Sequence, residues 1–469
     1  MLHSNSRILK LIAFITRQCK PLLVLAALLL LTGASAPTTQ VIDATTAGAI
    51  GDGTTLNTAS IQKAIDDCSA AGGGTIRFPA GRYLTGTIQI KSNVTLRLED
   101  GAILLGSTNA ADYRNLDPFV DGTGHRLGYA LIVSVDADHV GIEGSGTIDG
   151  QSPKLKAREK PYTIRPFLIR WVRSTNVTVR DVHLTNPGAW TMHFSQSKNI
   201  VVEDVTIRSR GLGIPNNDGI DLDSSENVKV HHCDIISGDD ALVIKSTGAQ
   251  PCRDITADDC KLSSHTNAIK LGTESFGGFE NISISNCQIS KTDMTGIALY
   301  TVDGGELRNV TVSDITMDGV MVPIGIRLGA RLKTFRAGDQ PKPIGTLHDI
   351  TIKKVTAKHI GMIGILINGI PNHPIESLTL QNIQLELPGG GTAEAAKTKL
   401  GEKEATYPEF NMFGKTMPAY GIYARHVRGI KLDHVQTNLL KPDARPAVVF
   451  IDVEDVTRVD AATDPSNPK

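Results

Sequence analysis

The stretch Asn227-Val-Lys-Val-His-His-Cys233 returns 27 residues later as Asp254-Ile-Thr-Ala-Asp-Asp-Cys260, and after another 27 as Asn281-Ile-Ser-Ile-Ser-Asn-Cys287. Aliphatic and polar residues alternate in each copy, the period-2 pattern of a strand with one face buried. Upstream the same phrase reads Asn176-Val-Thr-Val-Arg-Asp-Val182 and Asn199-Ile-Val-Val-Glu-Asp-Val205. Downstream it reads Asn309-Val-Thr-Val-Ser-Asp-Ile315, Asp349-Ile-Thr-Ile-Lys-Lys-Val355 and Ser377-Leu-Thr-Leu-Gln-Asn-Ile383. A repeat of this length is one unit of a stacked architecture, because a lone strand leaves its apolar face wet and parallel copies bury it. No helix-period stretch lies between the strands, which argues against leucine-rich repeats, and a propeller blade would be longer, at roughly 40 residues or more. The fold expected is all-β: a single-stranded right-handed parallel β-helix.

A second strand recurs inside the same coils: Gly219-Ile-Asp-Leu-Asp223, Ala241-Leu-Val-Ile-Lys245, Ala268-Ile-Lys-Leu-Gly272, Gly296-Ile-Ala-Leu-Tyr300, Gly325-Ile-Arg-Leu-Gly329 and Gly364-Ile-Leu-Ile-Asn368. Its second and fourth positions are aliphatic and face the core, so the odd positions face out. That alignment places Asp218, Asp221, Asp240, Lys270 and Arg327 on one external face, with Lys270 and Arg327 in one column. Thr58 to Ala71 carries helix-period apolar positions at Ile61, Ala64, Ile65 and Cys68 and is stopped by Gly72-Gly73-Gly74. It is expected to cap the N-terminal end of the solenoid. Pro388 to Pro418 breaks the repeat and reads as an excursion over the C-terminal coils.

Residues 1–36 read as a signal peptide. Arg7, Lys10, Arg17 and Lys20 form a basic region, Leu22 to Leu31 is an uncharged apolar run, and small residues follow. The run is short for a membrane-spanning helix, so export to the periplasm or outside the cell is expected, with no membrane association after cleavage. Residues 37–460 form the β-helix domain and 461–469 a disordered tail. With 48 Lys+Arg against 49 Asp+Glu, no global field marks a nucleic-acid binder. Of the six cysteines, Cys19 lies in the leader, and the odd remainder argues against a disulfide framework. Cys233, Cys260 and Cys287 follow the repeat and read as stacked core side chains rather than as zinc ligands. The sequons at Asn93, Asn176, Asn281 and Asn309 sit at repeat starts and read as coil features. No phosphate-binding loop and no metal or cofactor constellation is found, and a monomer is expected.

The chemistry lies in Asn216-Asn217-Asp218-Gly219-Ile220-Asp221 and Ser237-Gly238-Asp239-Asp240, which fall on consecutive coils. A surface strand gains nothing from adjacent carboxylates, since like charges repel and one pKa is pushed up. Glycoside hydrolysis does need them, one protonated to serve the leaving oxygen and one ionised to act on water or on the sugar. These segments resemble the polygalacturonase family of pectin hydrolases, glycoside hydrolase family twenty-eight. The likeness extends over Gly51-Asp52-Gly53, Gly72 to Tyr83, Gly144 to Gly150 and Pro187 to His193, from about residue 41 to at least 330.

The resemblance implies a pectic substrate, no cofactor, Asp239 as general acid, and Asp218 and Asp240 holding and deprotonating the attacking water with inversion. Trp190 and His193 are placed near the cleft or packed in the coil. Two family features are altered. Asn267, not His265, falls where the family has a histidine, leaving His265 either near the site or on a turn. Ala298 and Tyr300 stand where an Arg-x-Lys pair grips a galacturonate carboxylate. Lys270 and Arg327, and less so Lys245, are candidates for a relocated clamp or are ordinary surface cations, and Asp221 and Glu274 are further acidic groups near the face. The alternatives are a pectate-lyase-like β-helix enzyme, which would need Ca²⁺ and an arginine base, and a non-catalytic carbohydrate-binding solenoid.

Overall fold

The computed structural model describes residues 40–155 and 164–459. The expected signal peptide and the tail after residue 460 lie outside the described residues. From Val41 onward the described chain forms one compact unit, and it is the parallel β-helix the repeat implies. Three parallel sheets run along it. The one that carries the site is built from Phe167–Val172, Met192–Ser195, Ile220–Asp223, Leu242–Ser246 and Ile269–Ser275, then the later parts of Gln288–Thr301 and Leu307–Leu328, then Ile365–Asn368. Its inward column runs in unbroken parallel register: Met192, Ile220, Leu242, Ile269, Ile297, Ile324, Ile365, Ile422. All eight side chains are buried, and each fully buried aliphatic contributes roughly 1.5–3 kcal/mol.

The seven-residue phrase lies in the neighbouring sheet, and each position has a physical reason. The second and fourth residues point inward, so Val177, Ile200, Val228, Ile255, Ile282 and Val310 form one ladder. The first residue takes a left-handed backbone at every copy, from φ 52° at Asn309 and Ser377 to φ 57° at Asp349. Asn and Asp tolerate that region best after glycine. Their amides also stack: Asn199 Nδ2 donates to Asn176 Oδ1 at 3.0 Å, Asn227 to Asn199 at 2.7 Å and Asn309 to Asn281 at 2.6 Å. This ladder is why three of the sequons stand at repeat starts. The sixth residue is again left-handed, which turns the corner so that the seventh points inward. Cys233, Cys260 and Cys287 occupy that seventh place, and the five described cysteines are buried.

The helix Thr58–Ala70 buries Ile61, Ala64, Ile65 and Cys68 as its periodicity requires and packs against Gly74–Phe78 and Ile88–Ile90. No helix among the described residues is long and apolar enough to cross a membrane. Two expectations are corrected. The phrase Gly325-Ile-Arg-Leu-Gly329 is slipped by two residues: Ile324 and Ile326, not Ile326 and Leu328, stack on Ile297 and Leu299. A two-residue slip keeps side chains on the same face, so sequence alternation cannot detect it. It moves Arg327 beside Tyr300, whereas Lys270 pairs with Ala298, and the two cations do not share a column. The excursion from Pro388 to Pro418 is not confined to the C-terminal coils either. It returns along the outer face and reaches Lys270.

Candidate active site

Two tight coils bring the carboxylates together. A Cβ on Gly219 would collide with the carbonyl oxygen of Ala241, and one on Gly238 with the Asn217 carboxamide. Glycine at both places lets the Asp218 turn sit against the Asp239–Asp240 turn. One carboxylate oxygen from each of Asp218, Asp239 and Asp240 lies within 4.8 Å of the others. Asp221 and Glu274 join them from the same sheet, held by Lys245. Its Nζ is 3.3 Å from Asp218 Oδ2, 3.3 Å from Asp221 Oδ1 and 3.6 Å from Glu274 Oε2, and it stands 3.9 Å from the centroid of the Trp190 ring. Lys270 Nζ lies 2.9 Å from Asp240 Oδ2. Asn267 donates to Asp240 Oδ1 through its backbone N–H at 3.0 Å and through Nδ2 at 2.7 Å, and Thr266 Oγ1 donates to the same oxygen at 2.6 Å.

These surroundings separate the carboxylates. Burial, and then the Asp240 charge, pushes the Asp239 carboxyl up. Burial opposes ionisation of Asp240 as well, but Lys270, Lys245 and the Thr266 hydroxyl outweigh it and hold its pKa below the usual range. Asp218 rises well above its ordinary value through burial and the Asp221 charge, and burial raises Asp221 to about 8, so this pair retains a proton at neutral pH. Glu274 is held low despite burial by Lys245 and Arg331. Asp239 is also the most accessible of the central three: it is half-buried, whereas Asp218 and Asp240 are 2% and 4% exposed.

The remaining sequence candidates divide. Asp221, Lys245, Asn267 and Lys270 are in the site. His265 is not: its ring is exposed and its Nδ1 pairs with Asp293 Oδ2 at 2.6 Å, on a turn that also holds Arg210. Arg327 is not a free clamp. Its guanidinium donates to the carbonyls of Gly369, Glu402 and Lys403 and so fastens the excursion. Trp190 and His193 are packed residues. His193 is fully buried among Phe119, Phe167 and Trp190, accepts from Arg170, and is lowered by burial to about 4.

Two elements were missed. Gly122, in the loop of the hairpin Asn115–Val120/Arg126–Val135, donates its N–H to Glu274 Oε1 at 2.6 Å. Glu409, from the excursion, places Oε1 2.6 Å from Lys270 Nζ and 3.1 Å from Asn267 Nδ2. The one sequence signal for Glu409 is the cluster Tyr407, Phe410 and Phe413 in a segment otherwise polar and Gly-rich.

Residues 68–405 match the model of the glycosyl hydrolases family 28. A probable polygalacturonase of Vitis vinifera is 28% identical, over 72% of this chain and 73% of its own. An endo-polygalacturonase of Pectobacterium parmentieri is also 28% identical, over 70% of this chain and 84% of its own. The crystal structure of an exopolygalacturonase from Thermotoga maritima aligns with a TM-score of 0.64 at 25% identity, covering 74% of this chain and 87% of that one.

Proposed function

The chain belongs to glycosyl hydrolase family 28, and from that premise we propose that it hydrolyses α-glycosidic bonds of galacturonate-containing pectin at the Asp218–Asp239–Asp240 cluster. The observation that carries the reading is three carboxyl groups within 4.8 Å of one another whose surroundings push them apart, Asp239 upward by burial and the Asp240 charge and Asp240 downward by Lys270 and Lys245. Asp239, on the accessible side, gives its proton to the glycosidic oxygen as the bond to the anomeric carbon breaks. Water adds to that carbon from the other face, and Asp240 takes the proton it sheds. Asp218 Oδ1 is buried with no hydrogen-bond partner in the protein and orients that water. Close carboxyl spacing alone would suit a covalent, retaining pair. The presence of two carboxyl groups besides the acid, Asp240 held ionised and Asp218 beside it, favours a held water and inversion.

Lys245 and Lys270 do the electrostatic work. They keep Asp240 ionised in a place where burial alone would neutralise it. The same two ammonium groups, 3.3 Å and 2.9 Å from Asp218 and Asp240, repel a divalent cation, which disfavours a Ca²⁺-dependent lyase. The leader read from the sequence suits this function, because pectin is an extracellular polymer, and we take the enzyme to be exported and to act as a monomer. Incubated with polygalacturonan, the protein is expected to release reducing ends without an ultraviolet-absorbing unsaturated uronate, and to be indifferent to chelator. Unsaturated product that disappears with chelator would establish the lyase instead.

A further inference from the structure

The cations around the cluster are already taken by the protein's own groups. Lys245 is shared by Asp218, Asp221 and Glu274, Lys270 by Asp240 and Glu409, and Arg331 pairs with Asp303. Arg327 is spent on backbone carbonyls. Six carboxyl groups, Asp218, Asp221, Asp239, Asp240, Glu274 and Glu409, therefore surround two ammoniums. Among the described residues both ammoniums are already paired, so a further carboxylate, brought in on a sugar, would have to displace one of these groups to reach Lys245 or Lys270.

Glu409 is central to this arrangement. It is 8% exposed and is carried to the site by the excursion, where Glu404 accepts from the Ala330 N–H at 2.7 Å and the Tyr407 ring lies 5.5 Å from Lys270 Nζ. Its Oε1 receives Lys270 and Asn267. Its Oε2 is buried with no hydrogen-bond partner in the protein. An orphaned buried acceptor is costly to leave unpaired and calls for a donor.

We propose that Glu409 is a specificity-determining residue: it closes Lys270 and Asn267 to a substrate carboxylate and offers Oε2 to a sugar hydroxyl. The pectic ring lying over Lys270 is then read by its hydroxyl groups, so a neutral ring, methyl-esterified or carboxyl-reduced, is accepted there. This rests on the hydrolase reading above. Glu409 also divides the Lys270 charge with Asp240, so removing its charge leaves more of that field on Asp240.

The test compares wild type, Glu409→Gln and Glu409→Ala on oligogalacturonides and on their methyl-esterified and carboxyl-reduced counterparts, with Asp239→Asn as the blank. Expected for wild type is a kcat/KM on the neutral substrates within about tenfold of that on the acid, or above it. Glu409→Gln should raise KM on neutral substrates about tenfold or more and move the acid limb of the kcat/KM profile to lower pH, an effect that a merely structural residue would not produce. Glu409→Ala should shift preference toward the charged substrate, because Lys270 is released. Neutral substrates cleaved more than a hundredfold worse than the acid by wild type, or a KM and acid limb unmoved in Glu409→Gln, overturn the proposal. Should Glu409→Ala fail to fold, by its unfolding midpoint, the near-isosteric Gln variant decides alone. Turnover that persists in Asp239→Asn would sink the hydrolase reading itself, a result separate from either Glu409 outcome.

Discussion

Asp239→Asn is expected to lower kcat on oligogalacturonides by ~10²–10⁴-fold, the range general acid catalysis supplies, with the unfolding midpoint little changed. The side chain accepts from the Asp240 N–H at 3.0 Å and from the Asn216 N–H at 3.2 Å, and its Oδ1 lies 2.9 Å from Thr266 Oγ1. A carboxamide of the same shape keeps an oxygen acceptor and, like the protonated acid, sets no charge against Asp240. It has no acidic proton for the leaving oxygen, so the chemical step suffers while the fold does not. Because deprotonation of Asp239 sets the alkaline limb of the pH–rate profile, that limb should vanish from the residual activity. Steady-state kinetics across pH, with thermal unfolding alongside, checks both parts. A variant with near-wild-type kcat would remove Asp239 from the chemistry.

Lys245→Met is expected to cost about 3–5 kcal/mol of stability near neutral pH, the usual consequence of removing one partner from a buried ionic cluster. Lys245 is 6% exposed and faces three carboxyl groups. Glu274, held below its usual pKa chiefly by Lys245, contributes stability that is present above its unfolded pKa and is lost as pH falls through the folded one. Lys245 is itself raised well above its ordinary pKa, because Glu274, Asp218 and Asp221 outweigh its burial. Its own contribution therefore stays intact through neutrality and is lost only as pH rises through the folded value. In the variant the orphaned carboxylates take up protons as the solution becomes acidic, so the deficit should shrink toward and below about pH 4. Denaturant unfolding of both proteins at neutral and acid pH measures it. An equal loss at both, or none, would mean that Lys245 is not the counter-charge of this cluster.

The parts of the molecule legible in the sequence are those that repeat. Alternation placed Val228, Ile255 and Ile282 inward, and the 27-residue spacing placed Cys233, Cys260 and Cys287 in one column. The spacing of Asp218 from Asp239 and Asp240 put them on adjacent coils because one turn of the helix separates them. The same reading put Asn267, not His265, where the family has a histidine, and in the structure it is Asn267 that donates to Asp240. What alternation cannot carry was lost. The two-residue slip at Gly325 leaves parity unchanged and so misplaced Arg327. The direction of His265 depends on Asp293, a partner 28 residues away on the turn of the next coil. Glu409 reaches Lys270 across 139 residues of chain through a segment with no repeat, and no local pattern specifies where such a segment lands. Gly122 meets Glu274 for a similar non-local reason.

The central claim is that Asp218 and Asp240 hold a water while Asp239 acts as acid, and the anomeric configuration of the first product tests it most directly. Proton NMR of an α-linked oligogalacturonide, recorded within the first turnovers and before mutarotation, should show the new reducing end appearing as the β anomer. An α anomer appearing first would mean a covalent glycosyl-enzyme on one of these aspartates and would contradict the account.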